Sequence, residues 1–184
     1  MKPVCVVLFV SLLATAVFAG SPPIMTPAQQ YQTLIYRDAQ FAARYGFFLT
    51  SLNKCGGTEE ETPQWAAADA TFNSYVIGIC YPGAPKGTQV ESVYDIPSNQ
   101  CLPSTGITMT QDQQYQTLQY RIAQWTARYA ALDPQAQAAC TTPPNTGLPP
   151  ISADWVTSDT NMNNWLTATC GSPAHYSTSS NNCK

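Results

Sequence analysis

The sequence predicts an all-α fold in which two internally duplicated αα-hairpins form a disulfide-stapled four-helix bundle with long irregular loops. The first observation behind this prediction is a repeat: YQTLIYRDAQFAARY, residues 31–45, recurs as YQTLQYRIAQWTARY, residues 115–129, with eleven of fifteen positions identical. The second is that apolar residues recur at helical spacing in both copies. The third is an even number of cysteines beyond the first 19 residues, which is typical of a disulfide framework.

Residues 1–19 have the features of a signal peptide. Lys2 gives the chain a short positive start, residues 4–17 are apolar, and the small-residue pattern at 17–19 fits cleavage before Gly20. The apolar run is shorter than the about 20 residues that a membrane-spanning helix needs. We therefore expect a secreted, extracellular product that makes no membrane contact and folds from residue 20 onward.

The first helix of each copy is predicted from its start and its apolar stripe. Thr26 and Thr110 fit the N-cap position, with Pro27 and Gln111 in the first helical turns. The spacing of three and four residues between stripe positions indicates one buried helix face in each copy. The stripe residues are Tyr31, Leu34, Phe41, Tyr45 and Phe48 in the first copy and Tyr115, Leu118, Ile122, Trp125, Tyr129 and Leu132 in the second.

A second helix follows in each copy. QWAAADATFNSYVIGIC, residues 64–80, aligns with DWVTSDTNMNNWLTATC, residues 154–170. The first begins at Thr62-Pro63 and the second after Ser152, and each ends at a cysteine. The pairs kept in both copies are Trp65/Trp155, Asp69/Asp159 and Asn73/Asn163.

The remaining segments are rich in turn-forming residues, and we expect the prolines and glycines to avoid the helices. VESVYDI, residues 90–96, could form a short strand, but because no partner strand is evident it is interpreted as an extended loop. The repeat divides the chain into residues 20–106 and 107–184, called here the first and second repeat. We expect the two repeats to form one compact domain.

Six cysteines remain after the signal peptide is removed, three in each repeat: Cys55, Cys80, Cys101, Cys140, Cys170 and Cys183. Because three is odd, full pairing needs at least one bond between the repeats. The ends of the helix between Cys55 and Cys80 lie about 25 Å apart, too far for a direct bond. Among the possible pairings we favour Cys55–Cys101 and Cys140–Cys183 within the repeats and Cys80–Cys170 between them.

Charge argues against nucleic acid as a partner. Of the eight basic residues one lies in the signal peptide, which leaves seven against eleven acidic residues, a net charge of about −4. Cations so few and so scattered cannot follow a phosphate backbone. Only 10% of the residues are charged, so the surface is expected to be polar without being ionic.

The sequence assembles no recognisable catalytic or metal-binding motif, so neither enzymatic activity nor a cofactor is predicted. The one histidine, His175, lies in a Ser- and Asn-rich tail and is interpreted as a solvated loop residue rather than a general base. The run Glu59–Glu61 directly precedes a helix. Its negative charge complements the helix dipole, which we favour over a calcium site.

Charged side chains repeated in both copies suggest structural clasps. Arg37 and Arg121 each precede an aromatic residue by four positions, so each guanidinium is expected to lie on the ring of Phe41 or Trp125. Two further pairs, Arg44 with Asp69 and Arg128 with Asp159, are expected to join the two helices of each hairpin. We favour this structural role over ligand binding.

Asp38 breaks the repeat, because it occupies a stripe position where the second copy has Ile122. A carboxylate on a core face indicates either a ligand-facing group with a raised pKa or a buried group that has found a hydrogen-bond donor. We favour the second interpretation and keep Asp38 as the candidate ligand-facing residue.

Two functions remain compatible with the sequence. The first is a secreted, non-catalytic structural or interaction protein of extracellular matrix, secretion, cuticle or mineralised tissue, whose partners are other extracellular proteins or matrix. The alternative is a secreted helical carrier whose bundle encloses a small hydrophobic ligand such as a lipid or pheromone. Low charge and the duplicated module favour the first, whereas the many aromatic residues could line a cavity in the second.

Overall fold

The computed structural model describes residues 23–184, so the predicted signal peptide lies outside the described residues. This part of the chain is mostly helical and contains three disulfide bonds. Its four long helices are α1, Pro27–Lys54; α2, Pro63–Cys80; α3, Gln111–Thr141; and α4, Ala153–Cys170. Within residues 23–184, no helix is both long enough and apolar enough to cross a membrane.

The helix starts agree with the predicted caps. Thr26 and Thr110 each accept a hydrogen bond from the backbone N–H three residues on. The side-chain oxygen of the glutamine at that position accepts one in return from the backbone N–H of the threonine, which completes a capping box. Thr62 and Ser152 cap α2 and α4 in the same way but without the returning contact. Four local signals therefore determine where the helices begin.

The prediction that prolines and glycines avoid the helices was wrong at three positions. Gly46 lies inside α1 and Gly78 inside α2. Pro134 lies inside α3, which continues past the predicted stripe to Thr141. The residues around it are buried, with Leu132 and Ala136 fully inside the core. Packing of this face compensates for the backbone hydrogen bond that proline cannot donate.

Two small antiparallel sheets make the fold mostly helical rather than purely α. Strand β1, Tyr94–Asp95, pairs with β2, Gln100–Cys101, and β3, Tyr176–Ser177, pairs with β4, Asn182–Cys183. The extended-loop prediction for residues 90–96 was therefore wrong, because a one-turn 3-10 helix and β1 occupy this segment. The partner strand was missed because it is only two residues long. The 3-10 helices are Val90–Ser92, Pro103–Thr105 and Pro173–His175.

The first helices of the two repeats, α1 and α3, pack side by side along the centre of the molecule. Leu34 meets Leu118 near their N-terminal ends, and Cys55 bonds to Cys140 at their C-terminal ends. Because the starts meet each other and the ends meet each other, α1 and α3 run parallel.

Each second helix packs mainly on the first helix of the other repeat. The main partner of α2 is α3, and that of α4 is α1. The predicted hairpins, in which α1 would pair with α2 and α3 with α4, were therefore wrong. The parallel packing of α1 on α3 explains this exchange of helix partners. It places the C-terminal ends of α1 and α3 side by side, so that the loop after each of them can lead to a second helix that packs on the other one.

All three favoured disulfide pairings were wrong, although the inference that one bond joins the repeats is confirmed. The bonds are Cys55–Cys140 between the repeats, Cys80–Cys101 in the first and Cys170–Cys183 in the second. Each irregular tail folds back only as far as the C-terminal end of the helix that it follows. It therefore returns to Cys80 or Cys170 and never reaches the loop that contains Cys55.

Candidate functional site

The predicted clasps form, but their partners are exchanged between the repeats. Arg44 binds Asp159 at 3.1 Å, and Arg128 binds Asp69 at 2.5 Å. The expected pairs within a repeat, Arg44 with Asp69 and Arg128 with Asp159, were wrong for the same reason as the hairpins. Each clasp joins a first helix to the second helix of the other repeat.

Aromatic rings surround both clasps. The indole N–H of Trp65 donates to Asp69 at 2.9 Å, and that of Trp155 donates to Asp159 at 2.8 Å. The Arg128 guanidinium carbon lies 5.3 Å from the centre of the Trp65 ring, and that of Arg44 lies 5.4 Å from the Trp155 ring. In both clasps the charged side chains therefore form part of the packing between helices.

The two clasps differ in detail. Arg128 engages Asp69 through two nitrogens, Nε and Nη2, one to each carboxylate oxygen. Arg44 uses Nη2 alone, and its buried Nε has no hydrogen-bond partner among residues 23–184. Burial opposes the charge of Arg128, but the hydrogen bond and charge of Asp69 outweigh it and raise the pKa of Arg128.

The other two arginines do not lie on the predicted rings. Arg121 was expected over Trp125 and Arg37 over Phe41, but both extend instead to the loop of a small sheet. Nη1 of Arg121 donates to the hydroxyl of Tyr94 at 3.2 Å and to the carbonyl of Ile96 at 3.0 Å. These arginines connect α3 and α1 to the irregular tails rather than to their own helices.

Arg121 also binds Asp38, and this ion pair is the centre of what we call the closed site, made of Arg121, Asp38, Tyr94, Ile96 and Trp125. Both charged side chains are buried, with 7% and 8% of their residue surface exposed. The interpretation that we favour for Asp38, a buried carboxylate that has found a hydrogen-bond donor, agrees with this contact. Asp38 is held by α3 and is covered by its neighbours.

Burial dominates the titration of Asp38. It raises the pKa of this carboxyl to about 6, although the charge of Arg121 and the indole N–H of Trp125 both lower it. Neither Oδ1 of Asp38 nor Nε1 of Trp125 has a partner at normal hydrogen-bond geometry within the described residues. The indole N–H of Trp125 thus lies close enough to lower the pKa of the carboxyl, but it makes no hydrogen bond of normal geometry with it.

The matched position in the other repeat is the open site, made of Arg37, Ile122, Tyr176, Thr178 and Phe41. Nη1 of Arg37 donates to the hydroxyl of Tyr176 and to the carbonyl of Thr178, both at 3.4 Å. These are the counterparts of the contacts that Arg121 makes. No acidic side chain of residues 23–184 pairs with Arg37, because Ile122 stands where the closed site has Asp38.

A groove lies beside Arg37. Its volume is about 520 Å³, and Arg37 and Ile122 both line it. The wall is otherwise formed by apolar and uncharged polar residues of α1 and α3 and by the loop between β3 and β4. The predicted ligand-facing residue, Asp38, is not among its lining residues, whereas the residue that replaces it in the second repeat is.

A second repeated motif supports both sites and was missed in the sequence. It is tyrosine, asparagine five residues later and cysteine two residues after that, as in Tyr94-Asn99-Cys101 and Tyr176-Asn181-Cys183. Each tyrosine hydroxyl donates to the asparagine side chain, at 2.7 and 2.8 Å. Alignment of YDIPSNQC with YSTSSNNC would have revealed it.

The two asparagines close the tail against the first helices. Asn99 and Asn181 have positive φ of 52° and 48°, a conformation that asparagine tolerates better than most residues. Asn99 donates to the hydroxyl of Tyr31, and Asn181 donates to that of Tyr115. Each tail is thereby fixed where its tyrosine meets Arg121 or Arg37.

The remaining candidate residues lie apart from these sites. His175 is exposed, and its Nδ1 lies 3.2 Å from the carbonyl oxygen of Cys170. In the acidic run, Glu59 accepts a 3.5 Å hydrogen bond from Tyr45, and the backbone of Glu60 exchanges two hydrogen bonds with Gln135. Within residues 23–184, no group of three or more His, Cys, Asp or Glu side chains is placed to hold a metal ion.

Comparison of the chain with protein-family models, with curated proteins and with solved structures gives no match in any of the three.

Proposed function

We propose that this protein is secreted and acts outside the cell as a non-catalytic structural or interaction protein, with other extracellular proteins or matrix as its partners. The observation that carries the proposal is the way the repeats are joined: Cys55–Cys140 and both arginine clasps connect the first repeat to the second. Disulfides of this kind persist in oxidising, extracellular surroundings. The charges of the two clasps hold helices together.

The proposal includes an internal duplication in which residues 20–106 and 107–184 form one four-helix unit. Support comes from the eleven identities in the 15-residue string and from the matched contacts of Tyr94 with Asn99 and Tyr176 with Asn181. A unit whose repeats are joined by a disulfide and by two ion pairs suits a component that must persist outside the cell.

The experiment is expression of the full chain in a secretory cell line, followed by fractionation of the culture into medium and insoluble matrix. We expect a secreted product that begins at Gly20, has no free thiol and is retained in the matrix fraction. A tagged reporter that carries only the signal peptide serves as the control. A product that stays inside the cell, or that partitions like the reporter, contradicts the proposal.

A carrier of a small hydrophobic ligand is the second candidate, because the groove of about 520 Å³ beside Arg37 has the volume of a small-molecule site. Mass spectrometry of the purified native protein under non-denaturing conditions tests this candidate. A bound small molecule at one equivalent supports it, and a protein that is consistently empty contradicts it.

A further inference from the structure

The groove beside Arg37 combines an apolar wall with a single charge. Arg37 is the only charged residue among those that line it. The rim is polar and neutral, since it is formed by hydroxyl side chains of the loop between β3 and β4. The apolar lining residues are Leu34, Ile122, Ala123, Ala127 and Ala130, and the rim residues are Thr178, Ser179 and Ser180. Uncharged polar side chains complete the lining: Tyr115, Gln119, Thr126 and Asn181.

The closed site shows what the matched arginine, Arg121, binds when an acidic side chain lies next to it. There Nη1 of Arg121 is held by Tyr94 and Ile96, and Nη2 receives the carboxylate of Asp38. In the open site Nη1 of Arg37 is held by the matched groups, and both of its hydrogen bonds come from this nitrogen. No hydrogen bond of Arg37 within residues 23–184 comes from Nη2, and the guanidinium lines the groove together with Ile122.

The physical chemistry of that position favours an anion. A guanidinium is always charged, and its planar fork matches the two oxygens of a carboxylate. Apolar walls lower the local dielectric and so strengthen the attraction between Arg37 and an incoming charge. The hydroxyl of Tyr176 and the carbonyl of Thr178 hold the guanidinium in place before any ligand arrives.

We propose that this groove binds a small amphiphile with a carboxylate head and a hydrocarbon tail, with the carboxylate on Arg37 and the tail along Ile122 and the alanines of α3. The assignment deepens the carrier function proposed above and rests on it. The ligand would complete in the second half of the molecule the contact that Asp38 makes in the first. A groove of about 520 Å³ accommodates a chain of medium length.

The experiment is isothermal titration of the full, oxidised protein with decanoate and with decanol, each below its aggregation limit and at about pH 7.5, where the carboxyl is ionised. We expect saturable binding of one decanoate, with decanol at least about tenfold weaker. Equal affinity for the two probes overturns the carboxylate assignment but leaves the carrier function standing. The absence of saturable binding by either probe overturns both.

Variants locate the site. Arg37→Met should weaken decanoate at least about tenfold and change decanol less than about twofold, whereas Arg37→Lys should retain part of the preference for decanoate. Arg37 is half-buried and has no acidic partner in residues 23–184, so Arg37→Met is expected to fold, which near-UV circular dichroism checks. Unchanged decanoate affinity in folded Arg37→Met overturns the proposal.

A second variant supplies the missing carboxylate from the chain itself. Ile122→Asp places an acidic side chain where the closed site has Asp38, and it should abolish decanoate binding by pairing with Arg37. Ile35→Asp is the matched control, because it adds the same charge at an exposed position of α1 that does not line the groove. Decanoate binding that survives in folded Ile122→Asp places the ligand elsewhere and overturns the assignment.

Discussion

The closed and open sites use the same arginine of the repeat in two different ways. Arg121 and Arg37 hold matched tyrosine hydroxyls and loop carbonyls, but of the two only Arg121 has a carboxylate partner within residues 23–184. The difference comes from one stripe position, occupied by Asp38 on one side and Ile122 on the other. An internal ion pair on one side thus corresponds, on the other side, to a groove lined by an arginine that has no acidic partner in residues 23–184.

A second exchange accompanies the first. Trp125 lies beside Asp38 and lowers the pKa of its carboxyl, whereas the matched residue on the other side is Phe41, which has no N–H to offer. Phe41 packs instead with Ile122 and Leu34 in an apolar cluster. Each site is therefore internally consistent, one built around a buried charge and the other around an apolar wall.

The largest test of this difference is the same substitution made in both sites. Arg121→Met should lower the free energy of unfolding by about 3 kcal/mol, because it breaks a buried ion pair and leaves two acceptors without their donor. The loss stays at the lower end of the range for buried pairs, since Asp38 can take up a proton. Arg37→Met should cost less than about 1 kcal/mol, because its side chain is half-buried and has no acidic partner in residues 23–184. Urea unfolding followed by tryptophan fluorescence measures both.

The contrast between the two variants decides the interpretation. Equal losses of unfolding free energy in Arg121→Met and Arg37→Met would mean that the two arginines contribute equally to stability. The distinction between a closed and an open site would then fail. The m-value should be unchanged in both variants, which checks that the comparison concerns stability and not the compactness of the unfolded chain.

The next test uses the raised pKa of Asp38. The folded carboxyl, with a pKa of about 6, holds a proton at pH values where the unfolded carboxyl, with a pKa of 3.8, has lost it. Stability contributed by this group is therefore present at low pH and is lost as the pH rises through 6. Between pH 4.5 and 6.5 the unfolding free energy should fall by about 2 kcal/mol relative to Asp38→Asn, which lacks the titration. A difference between the two proteins that is constant with pH contradicts the assignment.

The clasps offer a smaller comparison, between Arg128–Asp69 and Arg44–Asp159. Double-mutant cycles with alanine should give a coupling energy of about 1 kcal/mol for the first pair and less for the second, because Arg128 binds through two nitrogens and Arg44 through one. Both pairs keep about a quarter of their side-chain surface exposed, so solvent screens them. The pair Arg44 with Asp69 should be additive, and coupling there would contradict the exchange of partners.

The beginnings of the helices could be predicted from the sequence because they depend on local signals. Thr26, Thr110, Thr62 and Ser152 satisfy the first backbone N–H groups by short-range contacts that the sequence displays. The parity of the cysteines likewise required a bond between the repeats, whatever the geometry. These predictions need no knowledge of how the helices pack.

The pairing of helices, clasps and cysteines could not be predicted, because the repeat makes two arrangements equivalent in sequence. An arginine in α1 can meet an aspartate in α2 or its counterpart in α4, and nothing in the local pattern distinguishes Asp69 from Asp159. The choice follows from the parallel packing of α1 on α3, which is a tertiary property. For the same reason the sequence identified Asp38 as exceptional without locating the groove at Ile122.

The smallest expected effect comes from Trp125→Phe, which gives the closed site the aromatic residue of the open one. The indole N–H has no partner at normal hydrogen-bond geometry in residues 23–184, so we expect the unfolding free energy to change by less than about 1 kcal/mol. The pKa of Asp38 should nevertheless rise above about 6, because Trp125 lowers it in the native protein. Carbon-13 NMR titration of the Asp38 carboxyl measures this shift, and Phe41→Leu in the open site, which leaves that carboxyl with all its neighbours, should produce none. A pKa that is unchanged in Trp125→Phe would show that burial and Arg121 alone govern the carboxyl, and that the exchange of Trp125 for Phe41 between the two sites concerns packing and not charge.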